Sequence, residues 1–127
     1  HSDGESEEGM FWEAAMAAAH YKLDNRICLL DHNNIQIDGF CSDVMNPAPL
    51  DEKFRAFGWW VKVIDGNDMG EILDALDEAR SVRGLPKMII GKTLLGKGVS
   101  IFENKPKYHG VPPNDEELEI ALKELGV

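Results

Sequence analysis

The sequence predicts an α/β domain built on a doubly wound, mostly parallel sheet with flanking helices. Three observations predict it. Segments with the apolar period of a helix alternate with short apolar runs of strand length along the 127 residues. Two of those runs, Arg26–Leu30 and Pro86–Thr93, are continuous rather than alternating, as strands buried on both faces are. Gly, Pro, Asn and Asp mark the joins, with no internal repeat, low-complexity tract or linker between them.

Each element has its own warrant. Met10, Phe11, Ala14, Ala15, Ala18 and Tyr21 recur at helical spacing, so Glu8–Leu23 is expected as a helix. Arg26–Leu30 follows as a buried strand. "DHNNIQIDGF" reads as a turn-rich loop carrying an alternating Ile35/Ile37 pair. Pro47 and Pro49 precede a short helix, Leu50–Phe57, which Gly58 ends. "WWVKVID" alternates as a strand. Asp68 is placed to cap the helix Met69–Val82, whose apolar stripe is Ile72, Leu73, Leu76 and Ala79. The strand in "PKMIIGKT" runs into a glycine-rich loop, Gly91–Gly98. Ser100–Pro113 reads as irregular, and Asn114 caps a last helix, Asp115–Leu125. Asp3-Gly4 looks like a strand-to-helix turn. Either it is an ordinary N-terminal loop, or its strand lies upstream of His1, so that the chain starts at the ligand-binding end of a strand it lacks.

Composition narrows the function. A hydrophobic fraction of 43% suits one domain with a true core. No apolar run approaches the roughly 20 residues of a membrane span. The net charge of −10 disfavours nucleic acid and anionic membranes as partners. Cys28 and Cys41 form no CxxC pair, which favours a reduced, cytoplasmic setting. An acidic chain can hold a phosphate only through amides, a few cations or a metal.

The first forty residues offer such a device. A turn–helix–strand unit returns the chain to the same edge of a parallel sheet. Asp3-Gly4 and Asn33–Ile35 would then meet at the carboxyl ends of neighbouring strands. The donors there are the Asp3 carboxylate, the Asn33 amide and a carbonyl near Ile35. This hard, all-oxygen set suits magnesium or calcium and not zinc. Gly4 would let a ligand approach the backbone. A purely structural reading stands beside this one, with Asp3 as an N-cap and Asn33-Asn34 as turn residues. Glu8 is read from its position as a first-turn acid favoured by the helix dipole. His109 is either a surface residue or a functional group on a loop. His20 and His32 are read as helix-surface and loop residues, and Trp12, Trp59 and Trp60 as core or interface. "GKTLLGKG" lacks the upstream glycine of a P-loop, and "DHNNIQIDG" lacks the glycine and glutamate of a calcium loop.

"SDGESEEGMFWEAAMAAAHYKLDN" followed by "LLDHNNIQIDG" resembles the thiamine-diphosphate motif of the transketolase family, above all the N-terminal subunit of its split, two-chain type. The resemblance continues through "FRAFGWWVKVIDGND", "KTLLGKGVSIFEN" and "YHGVPPNDEEL". It implies the C-terminal portion of the diphosphate-binding domain over residues 1–127. It implies thiamine diphosphate and Mg2+ or Ca2+ as cofactors, with Asp3, Asn33 and Ile35 as metal ligands. It sets Gly4 and Glu5 at the cofactor, Glu8 as the glutamate that supports cofactor activation across a dimer, and His109 near diphosphate and substrate. The implied activity moves two-carbon ketol units between sugar phosphates. The implied partner is a pyrimidine-binding C-terminal subunit, in a homodimer or heterotetramer. The rival readings are a non-catalytic interaction module and another thiamine-diphosphate enzyme such as a deoxyxylulose-phosphate synthase. Ser2 replaces the first glycine of the motif, Asn34 replaces a frequent glycine, and Trp60 and Asn67 stand where relatives often carry histidine.

Overall fold

A computed structural model describes residues 1–127. In chain order the elements are α1 (Gly9–His20), β1 (Ile27–His32), β2 (Ile35–Gln36), β3 (Gly39–Phe40), α2 (Cys41–Val44), α3 (Leu50–Ala56), β4 (Trp60–Asp65), α4 (Met69–Ser81), β5 (Lys87–Lys92) and α5 (Asp115–Leu125). Two 3-10 helices, Gly4–Glu7 and Pro106–His109, complete them. No helix is long and apolar enough to cross a membrane.

The main sheet is parallel, in the order β1-β5-β4. The last strand in sequence is the central one, and Lys87, Met88, Ile89 and Ile90 are all buried. That position explains its unbroken apolar run. Lys87 is only 2% exposed, and its Nζ donates to the Asp24 carbonyl. The register aligns His32, Lys92 and Asp65, so the three strands end level on one edge.

Helices cover both faces, as a doubly wound sheet requires. On one face Leu30, Met88 and Ile90 pack with Ala15 and Ala18 of α1, Leu50 and Phe54 of α3, and Trp59. The small alanines let α1 approach the sheet closely, and the Trp59 indole N–H donates to the Ala15 carbonyl at 2.9 Å. On the other face Ile89 and Ile64 meet Ala75 and Ala79 of α4. Period-2 alternation along β5 divides Met88 and Ile90 from Ile89 in this way.

Five segments depart from the expectation. The run Arg26–Leu30, expected as a buried strand, falls in β1 at the end of the sheet order, where only Leu30 is buried and Leu29 is 53% exposed. Glu8 is extended (φ −76°, ψ 127°), so it separates a 3-10 turn from α1 instead of starting the helix. The far end of α1 stops at His20, before Lys22 takes a left-handed φ of 52°. The loop around Ile35 and Ile37 folds back as the hairpin β2–β3, pairing Ile35 with Phe40, and α2 follows directly. Ser100–Pro113 contains the 3-10 helix Pro106–His109, with proline in its first turn, where its missing N–H is harmless.

The cap on α5 gives a local test. Asn114 accepts from the Glu117 N–H at 2.9 Å, and the Glu117 carboxylate accepts from the Asn114 N–H at 3.0 Å. Gly126, at φ 74°, closes the other end. Asn114→Ala should lower stability by about 1 kcal/mol in urea unfolding. An unmoved midpoint would show that the capping box does not hold this helix.

Candidate functional site

Asp3 is fully buried, at 0% exposure. It occupies the N-cap position of the 3-10 helix but makes no side-chain cap hydrogen bond. Its carboxylate turns instead toward the end of β1. Oδ1 accepts from His32 Nδ1 at 2.5 Å, and Oδ2 accepts from the Asn34 N–H at 2.5 Å. The capping reading of Asp3 is thereby set aside, and the two turns of the first forty residues meet. Ser2 explains how: it bridges in parallel to Asp31 beside β1, so Asp3 follows at the level where β1 ends.

The Asn33–Ile35 loop is shaped for this contact. Asn33 Oδ1 accepts from the Ile35 N–H at 2.7 Å, a local turn bond that Asn makes readily. Asn34 takes a left-handed φ of 61°, which asparagine tolerates, and so aims its N–H at Asp3. Ile35 is buried at 1% exposure. A second tie joins the same two segments: Gln36 Nε2 donates to Glu7 Oε1 at 2.8 Å. Gly4 lies under Gln36, and a Cβ there would come within 3.1 Å of the Gln36 Cβ.

Other expected site residues lie further out. Glu5 is exposed, and its carboxylate stands 3.5 Å from the His1 ring. The Glu8 side chain is exposed and makes no hydrogen bond with the rest of the chain. His109 is exposed at the end of its 3-10 helix, which packs on the β2–β3 hairpin. A cleft of about 470 Å3 separates Ile37 and Gly39 from Pro106 and Lys107. Ser2 uses its hydroxyl locally, as acceptor for the Glu5 N–H at 3.4 Å. Trp60 pairs with Lys87 at the amino end of the sheet, away from Asp3. Asn67 lies at the carboxyl end, where its Oδ1 accepts from the Leu94 N–H at 2.9 Å. It lines an open cleft of about 540 Å3 with Asp65, Glu71, Lys92 and Lys97.

His32 is the residue read differently from sequence. It is not a free loop residue but the last residue of β1, bonded to Asp3. Alternation could have found it, since His32 lies two residues beyond buried Leu30 and shares its side of the strand. The Asp3 hydrogen bond holds the His32 imidazole above its ordinary pKa, against the opposing effect of burial. Cys41, at 1% exposure, is pushed up to about 11, first by burial and then by the Asp3 and Glu7 charges. Both cysteines are free thiols.

The chemistry of the donors fits a hard divalent cation. A fully buried carboxylate carries a large desolvation penalty, and here only one imidazole and one amide N–H answer it. Each carboxylate oxygen keeps acceptor capacity beyond its single hydrogen bond. The loop that donates the Asn34 N–H to Asp3 also carries the Asn33 amide, whose Oδ1 accepts only one hydrogen bond, from the Ile35 N–H. Nowhere does the structure gather three or more His, Cys, Asp or Glu side chains for a softer metal.

Comparison with known proteins identifies the family. The family model described as "Transketolase, thiamine diphosphate binding domain" matches residues 1–127. The chain is 43% identical over 123 residues to the 6-deoxy-6-sulfo-D-fructose transketolase subunit SqwG of Clostridium sp. (strain MSTE9), covering 97% of this chain and 45% of that protein. It is also 43% identical to an apulose-4-phosphate transketolase subunit of Actinobacillus succinogenes, covering 97% and 44%. It thus spans less than half the length of these curated relatives. Among solved structures, transketolase from Campylobacter jejuni superposes with a TM-score of 0.91 at 37% identity, over 98% of this chain and 20% of that one. The parallel sheet, the helices on both its faces and the full-length family match agree, and the chain belongs to the transketolase family, within its thiamine diphosphate binding domain.

Proposed function

We propose that this chain supplies the diphosphate and metal half of a thiamine-diphosphate site in a transketolase-type transferase. The observation that carries the reading is the buried Asp3 carboxylate held against the Asn33–Ile35 loop, with Oδ2 at 2.5 Å from the Asn34 N–H. Asp3 and Asn33 would ligate Mg2+ or Ca2+ through side-chain oxygens, and Ile35 through its carbonyl. Gly4 would lie against the diphosphate, where any side chain would crowd both Gln36 and the ligand. Glu5 would border the cofactor. The solvent-facing Glu8 is free to reach a cofactor across a dimer contact. His109 would bind phosphate or carry a proton from its loop. Thiamine diphosphate, when bound, supplies the carbanion chemistry, and the protein binds and orients it.

The proposed reaction moves a two-carbon ketol unit between anionic sugars. The relatives are named for a sulfo-sugar and for apulose 4-phosphate, so the class is drawn wider than the pentose phosphate pathway. Relatives named as transketolase subunits support a second, partner chain; in this proposal it is the pyrimidine-binding one, in a cytoplasmic homodimer or heterotetramer. The 127 residues alone should transfer no ketol unit.

Thermal unfolding of the full-length protein with its partner chain tests the reading. Thiamine diphosphate should raise the melting temperature only with Mg2+ present, and EDTA should reverse the shift. Equal stabilisation without any divalent cation would contradict it.

A further inference from the structure

We infer that Asp31 and Thr93 are positioning residues that decide which end of the Asn33 amide faces the metal. The inference rests on reading Asn33 as a ligand. An amide has an oxygen end and a nitrogen end of nearly equal shape, and a cation can use only the oxygen. Something must therefore read the polarity of the Asn33 side chain.

The structure holds a reader at each end. Asn33 Nδ2 donates to Asp31 Oδ2 at 3.2 Å, while Asn33 Oδ1 accepts from the Ile35 N–H at 2.7 Å. A carboxylate only accepts, and a main-chain N–H only donates. A flipped amide would set oxygen against oxygen at Asp31 and nitrogen against nitrogen at Ile35. Asp31 is itself held from the neighbouring strand. Its other oxygen, Oδ1, accepts from the Thr93 hydroxyl. Thr93 follows β5 directly, and its N–H donates to the His32 carbonyl at 3.3 Å. The chain of contacts runs from the end of β5, through Thr93 and Asp31, to Asn33. No part of it touches Asp3.

Asp31 is exposed, and nothing in the core packs on its carboxylate. Hydrogen bonds at such a position contribute little to stability. The arrangement is therefore one whose loss should disturb metal affinity far more than folding. It would act like the outer partners that orient metal ligands elsewhere, through one amide rather than one imidazole.

The test uses the full-length protein with its partner chain, thiamine diphosphate and Mn2+, with free Mn2+ read by electron paramagnetic resonance. Asp31→Ala and Thr93→Val should each weaken Mn2+ binding by about 10–100-fold, the range for outer partners of metal ligands. Thr93→Ser, which keeps the hydroxyl, should bind within about threefold of the parent on that same scale. Metal-free melting temperatures should be unchanged in all three. Thr93→Val changes no charge and little volume, so it carries the test even where Asp31→Ala does not fold. Parent-like Mn2+ affinity in Thr93→Val would overturn the inference. So would equal losses in Thr93→Ser and Thr93→Val, which would show that the hydroxyl's hydrogen bond to Asp31 is not what matters. A parent protein that binds no Mn2+ would instead refute the ligand role of Asn33, and the inference with it.

Discussion

Replacing Phe54 with alanine should remove about 3–5 kcal/mol of stability, the range for truncating a buried aromatic. Phe54 is fully buried, at 0% exposure, and is the main anchor of the short α3 helix. Its ring meets Phe11 at 5.5 Å and Trp59 at 5.4 Å in edge-on geometry, and Trp12 at 5.5 Å. Each such pair adds about 0.5–1.5 kcal/mol beyond the area it buries. α3 has only seven residues and no side-chain cap, so it cannot stand without this docking. The loss would be a large share of the roughly 5–15 kcal/mol that holds a domain of this kind. The same ring packs on Phe11 and Trp12, so the start of α1 should loosen with it. Urea unfolding of Phe54→Ala measures the effect. A loss below about 1.5 kcal/mol, the cost of a mild core change, would mean that α3 is not the lid of this face.

Asp3→Asn should separate function from stability in the opposite sense. The proposed site depends on an anionic oxygen at this point, and an amide there should weaken metal-dependent cofactor binding by at least the 10–100-fold that outer partners cost. Metal-free stability should hold or rise slightly. The reason lies in what the substitution leaves behind. Breaking a buried ion pair is severe when it strands a buried charge. Here the partner is His32, whose side chain is 30% exposed and can shed its proton. The substitution removes a charge from a buried place and strands none. Calorimetric titration of thiamine diphosphate with Mg2+, beside melting in EDTA, measures both effects. A metal-free protein that melts much lower, with cofactor affinity intact, would make Asp3 a structural residue only.

Much of this was legible because short-range signals and topology agree. The apolar run Met88–Ile90 reads as a short buried strand, and it lies in the central one. Asp68 and Asn114 announced their helices through residues that cap them in the structure. The meeting of Asp3 with the Asn33–Ile35 loop followed from the geometry of a parallel return. What escaped depends on weaker or more distant causes. The hairpin β2–β3 has two residues on each side, too few for any period to declare itself. The break at Glu8 is a single extended residue inside an otherwise helical pattern. The Asp31–Thr93 contact joins residues 62 apart, and only the register of β5 on β1 brings them together. His32 was hidden by its neighbours, because "DHNN" reads as turn while its first two residues still belong to a strand.

We propose that a cation held between two successive strand-end loops lets a chain of net charge −10 bind an anionic coenzyme. Anomalous diffraction from crystals of the full-length protein grown with thiamine diphosphate and Mn2+ tests it most directly. The predicted result is one manganese peak within ligand distance of Asp3, Asn33 and the Ile35 carbonyl, bridging to the diphosphate. A diphosphate seated with no metal between it and Asp3, or a metal peak away from the Asn33–Ile35 loop, would contradict it.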